Sequence, residues 1–124
     1  MIKLSWLMRR LPHLSREQFQ TYWREQHPNA VPHEGIGALG IKRYIQVHTL
    51  GEDLREIVVG PREGLVEPFD GIAELWIESE EALRRDWTAE SARPYLEAFI
   101  ADEANFIDWS RSTILVSREI VMMG

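Results

Sequence analysis

The residue with the clearest capacity for chemistry is His27, which follows Phe19 and Trp23 at i, i+4 and i+8 with Tyr22 alongside. That spacing sets an imidazole on an apolar helical stripe among aromatic rings, where it can take or give a proton near neutral pH. The competing explanation is structural, since a histidine at a helix end caps carbonyls and gains from the helix dipole. Tyr44 and His48 form a second group. They share one strand face with Lys42 and Gln46, so they converge on a substrate oxygen, on solvent or on a partner chain. Trp6, Trp23 and Trp76 are candidate walls of an apolar pocket, against the commoner use of such rings as plain core. Arg9 and Arg10 either hold an anionic group or are solvated.

Several other motifs fail on context. Gly35, Gly37 and Gly40 spell G-x-G-x-x-G, but that dinucleotide fingerprint needs a strand before it and a helix after it. Here a helix and an irregular segment precede and a strand follows. His13, His27, His33 and His48 lack the helical or hairpin spacing of metal ligands. The chain has no cysteine, so disulfides, thiolate catalysis and Cys-based metal sites are excluded. Asp102, Glu103 and Asp108 read as a solvated acidic helix end, and no nucleophile elbow, P-loop or glycosidase carboxylate pair is present. None of these residues calls for a cofactor.

The elements that must position the candidates can be read from periodicity. Ile2, Leu4, Trp6 and Met8 recur at every second position, which predicts a strand over Ile2 to Met8. Ser15 with Gln18 three residues later predicts a capping box, so a helix starts near Arg16, and Pro28 places His27 near its end. Asn29 to Gly40 reads as an irregular connection. Ile41, Ile45 and Val47 alternate with Lys42, Tyr44, Gln46 and His48 as a second strand. Gly51 to Asp70, broken by Gly60, Pro61, Gly64 and Pro68, reads as a long loop or hairpin insertion. A third strand, Ile72 to Ile77, puts Ala73, Leu75 and Ile77 on one face and Ile72, Glu74 and Trp76 on the other. Ser79 caps a further helix that Pro94 splits, and Arg111 to Val121 alternates as a last strand.

The order β, α, β, β, α, β predicts one α+β domain over 1–124 of the ferredoxin-like split βαβ kind, with an antiparallel four-stranded sheet. Two helices cover only one sheet face, yet the other carries apolar residues too. A second copy packed sheet to sheet would bury them, so a homodimer closing a dimeric α/β barrel is expected. The formal charge of -6 and pI of about 5.2 offer no clustered basic surface, so neither nucleic acid nor an anionic membrane is an expected partner. Met1 to Met8 is too short and too charged for a signal or membrane segment, and cytoplasmic residence is the simplest expectation.

Taken together the pieces resemble the EthD domain family, a branch of the dimeric α/β-barrel superfamily. The residues that carry the likeness are the opening strand into Met8, Arg9 and Arg10, then Phe19, Tyr22, Trp23 through His27 and Pro28, and the Tyr44 strand. Asp70 to Trp76 ahead of Ser79, and Asp102, Glu103 and Phe106 to Asp108, complete it. The resemblance implies a ferredoxin-like subunit, a sheet-to-sheet dimer, and a small-molecule cavity between each sheet and its own helices. The superfamily includes cofactor-free monooxygenases, lactone isomerases, polyketide cyclases or decarboxylases, and haem-binding enzymes, while the EthD branch is often labelled oxidoreductase without an established reaction. The insertion over 51–70 is longer than the family's usual connection.

The expected function is therefore a pocket enzyme, oxidoreductase-like or isomerase/cyclase-like, acting on a small apolar oxygen-bearing compound. His27 serves as proton shuttle, and Trp6, Trp23, Tyr44 and Trp76 contact the substrate. The alternative is a non-catalytic binding or accessory protein for a hydrophobic metabolite, with a haem-dependent variant using His27 as a third reading.

Overall fold

The alternation that predicts the first strand produces β1, Ile2–Met8, in the computed structural model, which describes residues 1–124. The capping box forms as expected: the Gln18 backbone N–H donates to Ser15 Oγ at 3.0 Å and the Ser15 N–H donates to Gln18 Oε1 at 2.9 Å. These two bonds satisfy donors that the first turn of α1, Arg16–Glu25, leaves free. The helix stops sooner than expected. His27 is the first residue of a 3-10 turn, His27–Ala30, because the ring of Pro28 cannot continue an α-helix. A short helix α2, His33–Ala38, then occupies the expected irregular connection. Gly35 makes it possible, since a Cβ there would lie 2.5 Å from a Val31 methyl and 2.7 Å from the Tyr95 ring.

Strand β2, Ile41–His48, is followed by the second departure. Residues 51–70 were expected to form a loop or hairpin, and instead they contain a helix, α3, Glu52–Val59. Glu52 and Asp53 sit in its first turn, where the dipole favours them, and Gly60 with φ of 57° ends it. Leu54, Ile57 and Val58 form its apolar stripe and are exposed. Strand β3, Gly71–Ile77, precedes α4, Glu80–Asp86, capped by Ser79, and α5, Arg93–Glu103. Strand β4 runs only over Thr113–Ser117, shorter than expected at both ends. It is an edge strand whose one neighbour is β1, and its pairing spans Lys3 to Leu7.

The fold is α+β, with an antiparallel four-stranded sheet in the order β2-β3-β1-β4 that ferredoxin-like topology requires. Register places Trp6 opposite Ala73 and Ile114, and Leu75 opposite Leu4 and Tyr44, so these side chains share the helix-facing side. Two apolar clusters anchor that side. Met8, Phe19, Trp23, Ala73, Phe106 and Ile107 make one, and Ile2, Leu4, Ile77 and Ala82 make the other. Trp6 and Leu75 pack against both clusters without being fully buried themselves. The space between the clusters is where the site lies.

One buried charge ties the elements together at the end of the sheet. Asp70, 1% exposed, accepts the Arg10 backbone N–H at 2.8 Å, Arg10 Nη1 at 2.7 Å and Arg16 Nε at 2.9 Å. Burial alone would raise this carboxyl, but the Arg10 N–H and the two guanidinium groups outweigh it and hold it below its ordinary value. Arg10 is thus committed to a structural carboxylate. Arg9 lies 4.1 Å over the Phe69 ring and donates to the carbonyls of Arg111 and Glu67. Neither arginine is among the residues that line the cavity described next.

Candidate active site

A cavity of about 790 Å³ opens between the helix-facing side of the sheet and the segments that cover it. This lies within the size range of small-molecule sites. Sixteen of its 22 lining residues are hydrophobic, and none is Lys or Arg. The floor comes from the sheet through Trp6, Met8, Tyr44, Ala73, Leu75 and Ile114. The opposite wall comes from Trp23, His27, Phe99, Glu103 and Phe106. Exposed Pro28, Asn29, Pro32, His33 and Ile100 border its mouth.

His27 is held rather than merely enclosed. Its Nδ1 lies 2.6 Å from Asp102 Oδ2, and its ring packs against Phe106 and Phe99 at centroid distances of 5.0 and 5.6 Å. Asp102 in turn accepts the Tyr22 hydroxyl at 2.7 Å and Asn105 Nδ2 at 3.2 Å on its other oxygen. Burial raises this carboxyl, but the hydrogen bonds from Tyr22, His27 and Asn105 prevail and lower it. An ionised Asp102 requires the proton of neutral His27 to sit on Nδ1. Nε2 makes no hydrogen bond within the chain, which leaves its lone pair available at the cavity wall.

Glu103 is the second titratable group on this wall. It is 8% exposed, and its carboxyl is pushed up to about 7, first by burial and then by the charge of Asp102. A glutamate in that state exchanges a proton at neutral pH. Both carboxylates were expected to form a solvated helix end; the structure instead puts Asp102 on His27 and Glu103 in the cavity. A signal was present in the spacing, because Glu103 falls seven residues after Leu96 and four after Phe99 on α5, on the stripe that faces the cavity.

Tyr44 occupies the floor as part of a hydrogen-bonded set. Gln46 Nε2 donates to the Trp23 carbonyl at 3.1 Å and to the Tyr44 hydroxyl at 2.9 Å, and Trp23 Nε1 donates to the same hydroxyl at 3.2 Å. His48 stacks on Trp23 at 4.6 Å and bonds through Nε2 to Gln46 Oε1 at 2.9 Å. Burial lowers its imidazole, with a smaller push from Arg24. His48 does not line the cavity. Gly71 lets Trp23 settle here, since a Cβ on it would lie 2.5 Å from Trp23 Cζ3.

Of the five expected site residues, His27, Trp6, Trp23 and Tyr44 therefore meet on one cavity, and Trp76 does not. Strand alternation carries Trp76 to the opposite sheet face. There its indole N–H donates to Glu119, with Lys3 and Arg43 over the ring at 5.1 and 4.8 Å. Trp87 takes the wall position instead, 6.2 Å from Trp6, with its N–H donated to the Leu39 carbonyl at 2.8 Å. No group of three His, Asp or Glu side chains is arranged to hold a metal ion. No helix is long and apolar enough to cross a membrane.

The fold is similar to that of an ethyl tert-butyl ether D (EthD) family protein of Bacillus halodurans, with a TM-score of 0.61, 16% identity and coverage of 97% of this chain and 99% of that one. An EthD-like protein of Ralstonia eutropha gives a TM-score of 0.58 at 16% identity, covering 98% and 94%. HapK of Hahella chejuensis gives 0.52 at 10% identity, covering 100% and 96%. No curated protein sequence matches the chain. Residues 11–110, which include His27, Tyr44, Asp102 and Glu103, match the EthD domain model, and the chain belongs to the EthD domain family.

Proposed function

We propose that the chain is an enzyme that moves a proton on a small, mostly apolar, oxygen-bearing compound, with His27 as the shuttle. The observation that carries this reading is the 2.6 Å contact between His27 Nδ1 and Asp102 on the wall of an apolar cavity of about 790 Å³. A carboxylate on Nδ1 fixes the tautomer, so that Nε2 is the nitrogen left to take a proton. A ligand seated between the aromatic walls displaces water from them, which strengthens the polar interactions it makes there. Of the reaction classes suggested by the sequence, isomerisation or cyclisation by proton transfer is the one that these side chains supply by themselves.

The same reading includes a dimer formed through the other sheet face. Leu7, Ile45, Val47, Ile72 and Leu115 lie on that face and belong to neither apolar cluster, and Val47 and Leu115 remain 39% and 49% exposed. Apolar rows of this kind favour a covering partner.

The test uses 2-naphthol as a neutral reporter of the cavity, through quenching of Trp6 and Trp23 fluorescence, beside turnover of a panel of oxygen-bearing aromatic compounds. His27→Ala should retain 2-naphthol binding and melting temperature while losing turnover. Binding by the wild type with no His27-dependent conversion of any compound would leave a binding protein and end the enzymatic reading.

A further inference from the structure

No Lys or Arg lines the cavity, which disfavours an anionic ligand there. Several basic side chains near the sheet are held elsewhere: Arg10 and Arg16 by Asp70, Arg9 over Phe69 and by two carbonyls, and Lys3 by Glu74. A carboxylate or phosphate placed among these apolar walls would find no Lys or Arg to pair with, and burying an unpaired charge is costly. Glu103, buried on the wall, would repel it further at alkaline pH. An uncharged ligand meets neither cost.

Tyr44 narrows the class. The Trp23 carbonyl, 3.1 Å from Gln46 Nε2, fixes the orientation of that amide, because only the NH2 group can face a carbonyl at that distance. The Gln46 amide must then donate, not accept, at the Tyr44 oxygen, as Trp23 Nε1 also does. A phenol oxygen that receives two hydrogen bonds has its own O–H left to give. Tyr44 finds no acceptor within the chain, and it borders the cavity with 43% of its surface accessible. Tyr44 and His27 both line this one cavity, so the free O–H and the free Nε2 belong to groups that border the same space.

Resting on the reading of His27 as shuttle, we infer that the substrate is a neutral carbonyl compound: the Tyr44 O–H donates to its carbonyl oxygen while His27 Nε2 takes a proton from the adjacent carbon. The C–H bond breaks toward Nε2, its electron pair becomes the carbon–carbon double bond of an enolate, and the carbonyl π pair moves onto the oxygen that Tyr44 holds. Returning the proton to the same carbon is exchange, and returning it to another carbon is isomerisation. No oxidant or reductant enters.

The probe is 2-tetralone, a neutral bicyclic ketone, in D2O, with loss of its α-proton signals followed by NMR. Wild-type protein should speed exchange above buffer. Tyr44→Phe should slow it by roughly 100-fold or more, the usual effect of removing one donor to an oxyanion, while still binding 2-naphthol. Exchange by Tyr44→Phe at the wild-type rate, or by the wild type at the buffer rate, overturns the inference. Should Tyr44→Phe fold poorly, competition on the wild type decides. At pH 8, 2-naphthoate should displace 2-naphthol at least roughly 10-fold less well than 2-tetralone does, and equal displacement overturns the inference. Failure with 2-tetralone alongside His27-dependent conversion of another oxygen-bearing compound rejects the carbonyl class and leaves the shuttle standing.

Discussion

Replacing Glu103 by Gln removes a charge that the fold resists while keeping the shape of the side chain. The Glu103 carboxyl is pushed from its ordinary value of 4.5 up to about 7, first by burial and then by Asp102. Between those values the folded chain keeps a proton that the unfolded chain has released, so wild-type stability falls as pH climbs through this window and levels off above it. The full difference corresponds to ~3 kcal/mol at the usual conversion of about 1.4 kcal/mol per pH unit. The carboxyl borders an open cavity, and screening by water there lowers the expected effect to ~2 kcal/mol. Glu103→Gln should therefore melt closest to the wild type at pH 4, where the carboxyl is protonated in the folded chain and largely so in the unfolded one. At pH 8 it should melt higher by roughly 6–10 °C, given the sensitivity expected of a chain this size. Calorimetry at half-unit steps from pH 4 to 8 reads the divergence directly. A constant offset at every pH, or a variant that melts lower at pH 8, would refute the placement of this carboxyl in the cavity wall.

Other perturbations address other parts of the structure. Asp70→Asn should cost about 3 kcal/mol in urea unfolding at pH 7, because Arg10 and Arg16 lose their shared buried carboxylate. Asp70 contributes stability above the carboxylate value of the unfolded chain and loses it as pH falls, so the gap between variant and wild type should narrow at pH 3; a gap of unchanged size would contradict the ion-pair role. Gly71→Ala should cost about 1–3 kcal/mol and alter Trp23 fluorescence, as the new methyl collides with that ring, whereas a neutral result would contradict the close packing. Asp102→Asn should lower turnover by roughly 100-fold or more and change the pH–rate profile, while leaving 2-naphthol bound. A profile identical to the wild type would deny Asp102 its positioning role. Light scattering at micromolar concentration should give the mass of two chains, and Val47→Glu on the apolar sheet face should halve it; a wild-type mass of one chain contradicts the dimer.

Elements whose pattern is local were legible in the sequence. Strict alternation in Ile2–Met8 and Gly71–Ile77 and the Ser15–Gln18 capping box translate directly into β1, β3 and α1. Helix α3 was hidden by the breakers around it: Gly60, Pro61, Gly64 and Pro68 dominate the composition of 51–70, although Leu54, Ile57 and Val58 have helical spacing. Four of the five expected residues line one cavity, and they stood out as aromatic rings and an imidazole at strand or one-turn spacing. The partner of His27 was not, since Asp102 lies 75 residues away and meets it only through the packing of α5 on the 3-10 turn. Trp76 was misplaced for a simpler reason. Its alternation already put it opposite Leu75, and choosing it for the pocket favoured its ring over its face.

On the proposed reading, His27 presents a bare Nε2 to a ligand while Asp102 holds the proton on Nδ1. A long-range 1H–15N NMR spectrum of the histidine rings, recorded at pH 8 with and without 2-naphthol, distinguishes the two tautomers. The Nδ1–H tautomer for His27, with an Nε2 signal that moves when 2-naphthol binds, is the predicted result. The Nε2–H tautomer, or an Nε2 signal indifferent to a bound ligand, would contradict it.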